Sequence, residues 1–210
     1  MKEITNGLKL ITSSRYPDMP DEVLDILNRV VEKKELSKGE ILFKEGDYAT
    51  YIVGVKTGLI RQFYVRNGKD ITEHFSYEGC TLMCLESFLK EEPTKLQAEA
   101  LEPSIVYLIS KEKLERLIKS YREIGIYYRK VLEYSLIQSQ IKADLLRYET
   151  AKERYIHLGE EQPEVLKRAP LAYIASYLIM TPETLSRVRN TVIQEEIEKQ
   201  KAASSKERNK

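Results

Sequence analysis

The hydrophobic pattern of the chain changes character several times. Residues 18–34 place Val23, Leu24, Ile26, Leu27, Val30 and Val31 at helical intervals. Asp18 or Asp21 suits an N-cap, so a short amphipathic helix is expected. From Lys38 to about Ser110, short apolar or alternating runs are punctuated by Gly39, Gly46, Gly58, Gly68 and Gly79. Ile41–Phe43, Tyr51–Val55, Leu59–Val65 and Ile105–Ile109 read as strands, and Asn67-Gly68 reads as a tight hairpin turn. This spacing predicts an antiparallel barrel or double-sheet roll, not βαβ units.

From Lys111 the period becomes helical and stays so to about His157. Ile124, Tyr127, Val131, Tyr134, Gln138, Ile141, Leu145 and Tyr148 alternate by three and four, and only Gln138 is polar. Such a heptad seam predicts a long helix that pairs with the same helix of a second copy, with Gln138 setting the register. Part of the stripe must serve the chain's own core, because Leu114, Leu117, Ile118, Tyr121 and Leu132 lie on other faces or earlier turns. Gly159 and Pro163 predict a helix stop and a hinge. A compact helical segment is expected from Glu164 to about Ile197, and a frayed polar tail from Lys199 to Lys210.

Within that segment, Pro170 suits a first helical position, and Leu171, Ile174, Ala175 and Leu178 give a short helix one apolar face. Thr181 then reads as an N-cap, with Pro182 at the first position and Glu183 in the first turn. Leu185 and Val188 would tuck the second helix inward. Two short helices across a turn of about three residues form a helix-turn-helix. Its second helix carries Thr181, Glu183, Thr184, Ser186, Arg187 and Arg189, side chains suited to duplex DNA. Glu183 can accept from a cytosine amino group, and Arg187 can fork onto guanine or hold Glu183. Arg189 and Thr184 suit phosphate.

Composition refines this picture. With 34 Lys+Arg against 33 Asp+Glu in 210 residues, the net charge is +1, which taken whole argues weakly against a basic nucleic-acid coat. Position reverses that inference: Lys167, Arg168, Arg187 and Arg189 face only Glu183 between Lys167 and Asn190. No apolar run reaches the roughly 18 residues of a membrane span, and residues 1–7 lack a signal-peptide core. A cytoplasmic protein without membrane contact is expected. Cys80 and Cys84 provide neither a disulfide framework nor a metal site and read as two small buried thiols. No nucleophile–base pair, Walker motif or dinucleotide glycine motif argues for an enzyme.

The order of elements resembles the Crp/Fnr family of bacterial transcription regulators over about residues 10–195. Lys38-Gly39-Glu40-Ile41-Leu42-Phe43-Lys44-Glu45-Gly46-Asp47 is similar to the family's strand-turn signature, continued by Tyr51-Ile52-Val53 and Gly58-Leu59-Ile60-Arg61. Ile174-Ala175-Ser176-Tyr177-Leu178 followed by Thr181-Pro182-Glu183-Thr184-Leu185-Ser186-Arg187 resembles its DNA-binding motif. The resemblance implies an α+β fold: an N-terminal antiparallel, jelly-roll-like β-roll over residues 1–120, a dimerisation helix over 121–158, a helix-turn-helix domain over 159–197, and a polar tail over 198–210. It places Glu183 and Arg187 on base-contacting positions, with double-stranded DNA, a second copy and RNA polymerase as partners.

Two departures stand out. Ile179 occupies a turn position that is usually Gly, so either the turn is rearranged or the side chain packs inward. Few residues follow Asn190 to form the β-hairpin wing that many members carry. The candidate effector pocket lies at Glu86, Ser87, Thr94 and Lys95, but Leu85 replaces the family's Gly, and no arginine occurs between Arg66 and Arg116. Arginine is the preferred fork for phosphate, so the resemblance argues against cyclic-nucleotide capture, and no cofactor is expected. A second reading is a ligand-binding module whose helical tail contacts protein.

Overall fold

The computed structural model describes residues 2–208, with side chains for 6–195 and 197–201. Its elements in chain order are α1 (Lys2–Ser13), α2 (Asp21–Val30), β1 (Glu32–Leu36), β2 (Ile41–Phe43), β3 (Tyr51–Thr57), β4 (Ile60–Arg66), β5 (Lys69–Ser76) and β6 (Thr81–Leu82). Then come α3 (Leu85–Lys90), β7 (Gln97–Ala100), β8 (Ser104–Ser110), α4 (Lys111–Ser120), α5 (Arg122–Tyr148), α6 (Ala151–Glu161), α7 (Pro163–Arg168), α8 (Leu171–Tyr177) and α9 (Pro182–Arg208). Two compact units divide the chain at Ser139/Gln140, a boundary that falls within α5.

In the first unit, two four-stranded antiparallel sheets have the orders β1-β8-β3-β6 and β2-β7-β4-β5. Val53, Val55 and Val106 from one sheet meet Phe43, Ile60 and Ala98 from the other in an apolar core. Strand alternation sends Ile52 and Tyr107 to the opposite face, where they join Leu8, Leu24 and Ile124 in a second core. Gly54 allows α1 to approach β3 closely, because a Cβ there would lie 2.6 Å from Ile11 Cδ1. The architecture is the expected α+β fold with a double-sheet roll.

The predicted hairpin is present: Asn67 (φ 52°) and Gly68 (φ 73°) both take positive φ between paired Arg66 and Lys69. The predicted first helix, however, ends at Val30, with Pro20 in the N-cap position and Asp21 already inside the helix. Glu32–Leu36 instead pairs with β8 as an edge strand, where its exposed charges suit an unpaired outer rim.

The predicted continuous helix over 121–158 is interrupted. Tyr121 leaves helical geometry between α4 and α5, and Thr150 does so between α5 and α6. Thr150 and Glu153 form a reciprocal capping box that starts α6: the Thr150 backbone N–H donates to Glu153 at 2.7 Å. Gly159 is therefore not the hinge; it lies inside α6, and the chain breaks at Glu149–Thr150 and Gln162. The expected tail beyond Lys199 continues α9 to Arg208. No Gly or Pro follows Pro182, and Ala, Lys, Glu and Gln dominate that stretch, all good helix formers. Met1, Asn209 and Lys210 lie outside the described residues.

Candidate nucleic-acid interface

The second unit forms a helix-turn-helix around Ile174, Ala175, Leu178 and Leu185, all buried. Pro170 stands at the N-cap of α8, one position before the expected first helical site. The turn is closed by two backbone bonds, Ile179 N–H to Ser176 O (3.1 Å) and Met180 N–H to Ala175 O (3.0 Å). This pair is a Schellman closure, which requires a left-handed residue at Ile179. Ile179 has φ +51° and is 58% exposed. Neither expected alternative holds: the turn keeps its hydrogen bonds, and the side chain points to solvent. The two bonds and the buried neighbours hold a backbone conformation that disfavours isoleucine by about 1–2 kcal/mol.

Thr181 caps α9 as expected, accepting from the Thr184 N–H at 3.2 Å, with Pro182 first in the helix. Leu185 anchors the inner face, while Glu183, Ser186 and Arg187 are exposed. Spacing of three and four puts Glu183, Ser186 and Arg187 on one face. Arg187 Nη2 donates to Thr184 Oγ1 at 3.3 Å. The Glu183 carboxyl lies below its ordinary pKa, through its own backbone N–H, the Thr181 hydroxyl and the Arg187 charge, in that order. The Glu183 carboxylate is thus charged at neutral pH, and both side chains are exposed. Arg189 is exposed but two residues from Arg187, so it stands on a different flank. Beyond Asn190 the helix continues instead of turning into a wing.

A shallow cleft of about 210 Å³ opens beside this face, lined by Lys152 of α6 with Thr184, Arg187, Val188 and Thr191 of α9. Lys152 Nζ is paired with the Glu195 carboxylate, 2.7 Å from Oε2. Neither residue is among those expected from sequence, since they stand 43 residues apart and carry no shared local pattern.

The effector residues are not gathered into one site. The Ser87 hydroxyl accepts from Ala49 N–H (3.0 Å) and donates to Glu92 O (2.7 Å). Thr94 Oγ1 lies 2.8 Å from Cys84 Sγ and accepts from Leu96 N–H at 2.9 Å. Both hydroxyls are buried and work as loop staples. Glu86 and Lys95 are exposed, and Glu86 accepts from Lys90 (3.0 Å), which holds its carboxyl below the usual range. Arg61, the buried arginine of β4, is committed elsewhere. It grips Asp70 through two nitrogens (2.6 and 2.9 Å), reaches Glu99 at 2.8 Å from Nε, and stacks 3.9 Å from the Phe63 ring. Cys84 is buried and Cys80 half-buried, both free thiols, with burial pushing the Cys80 thiol up.

The α5 seam divides. Ile124 and Val131 are buried within the first unit, and Ile124 and Tyr127 pack in its helix-covered core. Desolvation pushes the Tyr127 phenol well above its ordinary range. Tyr134 is stacked by Arg15 at 3.4 Å. Gln138, Ile141 and Leu145 are only partly covered. Leu136 (72%), Ile137 (55%) and Tyr148 (79%) are exposed, and the first two lie outside the expected seam.

A roll, a long helix and a terminal helix-turn-helix define a two-part protein with a cyclic-nucleotide-domain-like module. Residues 33–121 match the cyclic nucleotide-binding domain family. The chain is 29% identical over 153 residues to the transcriptional activator protein FnrA of Stutzerimonas stutzeri, covering 71% of this chain and 59% of that protein. It is 27% identical over 186 residues to an anaerobic regulatory protein of Haemophilus influenzae, covering 80% and 70%. The solved structure of FixK2 from Bradyrhizobium japonicum matches with a TM-score of 0.69 at 24% identity, covering 80% of this chain and 87% of that one. The chain is thus similar to regulators of the Crp/Fnr type. It spans 59% of the length of FnrA.

Proposed function

We propose that the protein is a sequence-specific, DNA-binding transcription regulator: a homodimer reading a pseudo-palindromic site, with RNA polymerase as a further partner and the cytoplasm as its location. The observation that carries this reading is the Thr181-capped start of α9, which buries Leu185 and turns Glu183, Ser186 and Arg187 outward on one face. That geometry suits a helix inserted N-terminus first in a major groove, with two copies about 34 Å apart on successive turns. Glu198 follows the reading segment and, by repelling phosphate, limits how far contact extends along α9. Exposed Ile137 and Tyr148 supply the apolar surface for pairing.

Cyclic nucleotide is a poor candidate effector. Arg61 is held by two carboxylates, and the Ser87 and Thr94 hydroxyls are occupied by their own loops. An effector that binds the roll acts by biasing α5 and the break at Glu149–Thr150.

The test is selection of genomic fragments at moderate salt, followed by titration of the enriched duplex. The full chain enriches specific promoter fragments with salt-dependent affinity, and Arg187→Ala loses the sequence preference while keeping non-specific binding. Failure to enrich any fragment overturns the reading and favours a ligand-binding module whose helical tail contacts protein.

A further inference from the structure

The cleft between α6 and α9 gathers groups that outward-facing Arg187 does not by itself require. Lys152 of α6 supplies an ammonium to the lining of the cleft, and α9 supplies the Arg187 guanidinium and the Thr184 hydroxyl. Thr191 completes the rim but donates its hydroxyl to the Arg187 carbonyl at 3.0 Å, so it serves to hold α9. Thr184 Oγ1 accepts from Arg187 at 3.3 Å and lies 3.2 Å from the Thr181 hydroxyl oxygen, so it serves to position Arg187. Lys152 and Arg187 thus bring two cations to an open cleft of about 210 Å³, which has room for one phosphate group. One group opposes that match. The Glu195 carboxylate holds Lys152 at 2.7 Å, in the manner of an internal stand-in for the anion. Both members of this pair remain about 40% exposed, so the pair is reachable from solvent and exchangeable.

We infer that this cleft takes one backbone phosphate of the DNA duplex, with Lys152 as its principal cation and Glu195 as a built-in competitor that the phosphate displaces. The inference rests on the DNA-reading function proposed above and adds a contact from α6, outside the helix-turn-helix. Lys152 fixes position on the duplex without reading sequence, and Glu195 lowers non-specific affinity by occupying Lys152 until a well-placed phosphate replaces it. The exchange breaks one ion pair and forms another, with no proton or covalent step.

The experiment measures duplex affinity against salt for the full chain and for Lys152→Gln, Lys152→Arg and Glu195→Gln, with thermal melting to confirm folding. Lys152→Gln is expected to flatten the slope of log affinity against log salt by about 0.9 per copy, or about 1.8 for a dimer, and to weaken specific and non-specific duplexes alike. Lys152→Arg retains the slope. Glu195→Gln is expected to tighten binding by roughly fivefold, the opposite direction to Lys152→Gln. A wild-type slope in Lys152→Gln overturns the inference. So does equal weakening by Lys152→Gln and Glu195→Gln, because an ion pair that only holds α6 against α9 fails in the same direction whichever partner is removed. If the wild-type chain binds no duplex at all, the DNA-reading function itself fails, an outcome distinct from normal binding with unaltered variants.

Discussion

Arg154 donates from Nε to the backbone carbonyl of Leu178 at 3.0 Å. The same guanidinium donates from Nη1 to the carbonyl of Glu149 at 2.8 Å. One side chain of α6 therefore joins the residue before the helix-turn-helix turn to the residue before the α5–α6 break. Helix ends leave carbonyls unpaired, and here a charged fork satisfies two of them at once. Any movement at Glu149–Thr150 is thereby coupled to the backbone that sets the entry of α9.

Arg154→Ala should lower the unfolding free energy by about 2–3 kcal/mol, since it strands two partly buried carbonyls bonded to a charged donor. Arg154→Lys should fall between, because a single ammonium does not reproduce the fork. Chemical denaturation followed by circular dichroism checks this. An alanine variant as stable as the wild type would show that water replaces the guanidinium at both carbonyls.

Ile179→Gly should stabilise the protein. A left-handed φ of +51° disfavours a β-branched residue, and glycine removes that strain and an exposed apolar side chain. Glycine also loses more backbone freedom on folding, so the net gain is about 0.5–1 kcal/mol. A raised denaturation midpoint with an unchanged slope is the expected signature. Ile179→Val, equally β-branched, should give no gain.

These two residues also show what can and cannot be read along the chain. The double-sheet roll, the Asn67-Gly68 hairpin and the Thr181 cap are legible because each depends on local period or turn chemistry. Position 179 is anomalous in the sequence, yet its outcome is not legible there, because the Schellman bonds that fix it depend on the packing of α8 against α9. Charged Glu32–Leu36 shows no apolar alternation and becomes a strand only because β8 offers an open edge. The Thr150–Glu153 capping box is readable by its spacing, but the apparent heptad runs across it and hides the break. Lys152 and Glu195, like Arg61 with Asp70 and Glu99, meet only through tertiary structure.

The capping box gives a pH dependence with a definite sign. Hydrogen bonds from the Thr150 backbone N–H, then from its hydroxyl, hold the Glu153 carboxyl below its ordinary value of 4.5. A depressed folded-state pKa contributes stability that is present above the unfolded value and lost as pH falls through the folded one. The wild type should therefore exceed Glu153→Gln in stability by a constant margin from pH 7 down to about pH 5. Below 4.5 the margin should narrow as the carboxylate takes up a proton. Denaturation midpoints of both proteins between pH 3 and 7 test it. A margin that does not change with pH would assign the cap to the Thr150 side chain alone.

The split of the α5 stripe separates folding from assembly. Ile124 is 1% exposed in the core formed with α1 and α2, so Ile124→Ala should reduce stability by about 2–5 kcal/mol. Ile137 is 55% exposed within a single chain, so Ile137→Asp should leave the fold of one copy nearly unchanged. If α5 pairs with a second α5, burying that aspartate without a partner opposes association and shifts the chain to monomer. Light scattering at matched concentration reads the assembly, and circular dichroism reads the fold. The expected pattern is a destabilised protein that still pairs for Ile124→Ala and a folded monomer for Ile137→Asp. A dimer that survives Ile137→Asp at micromolar concentration would remove this face of α5 from the interface.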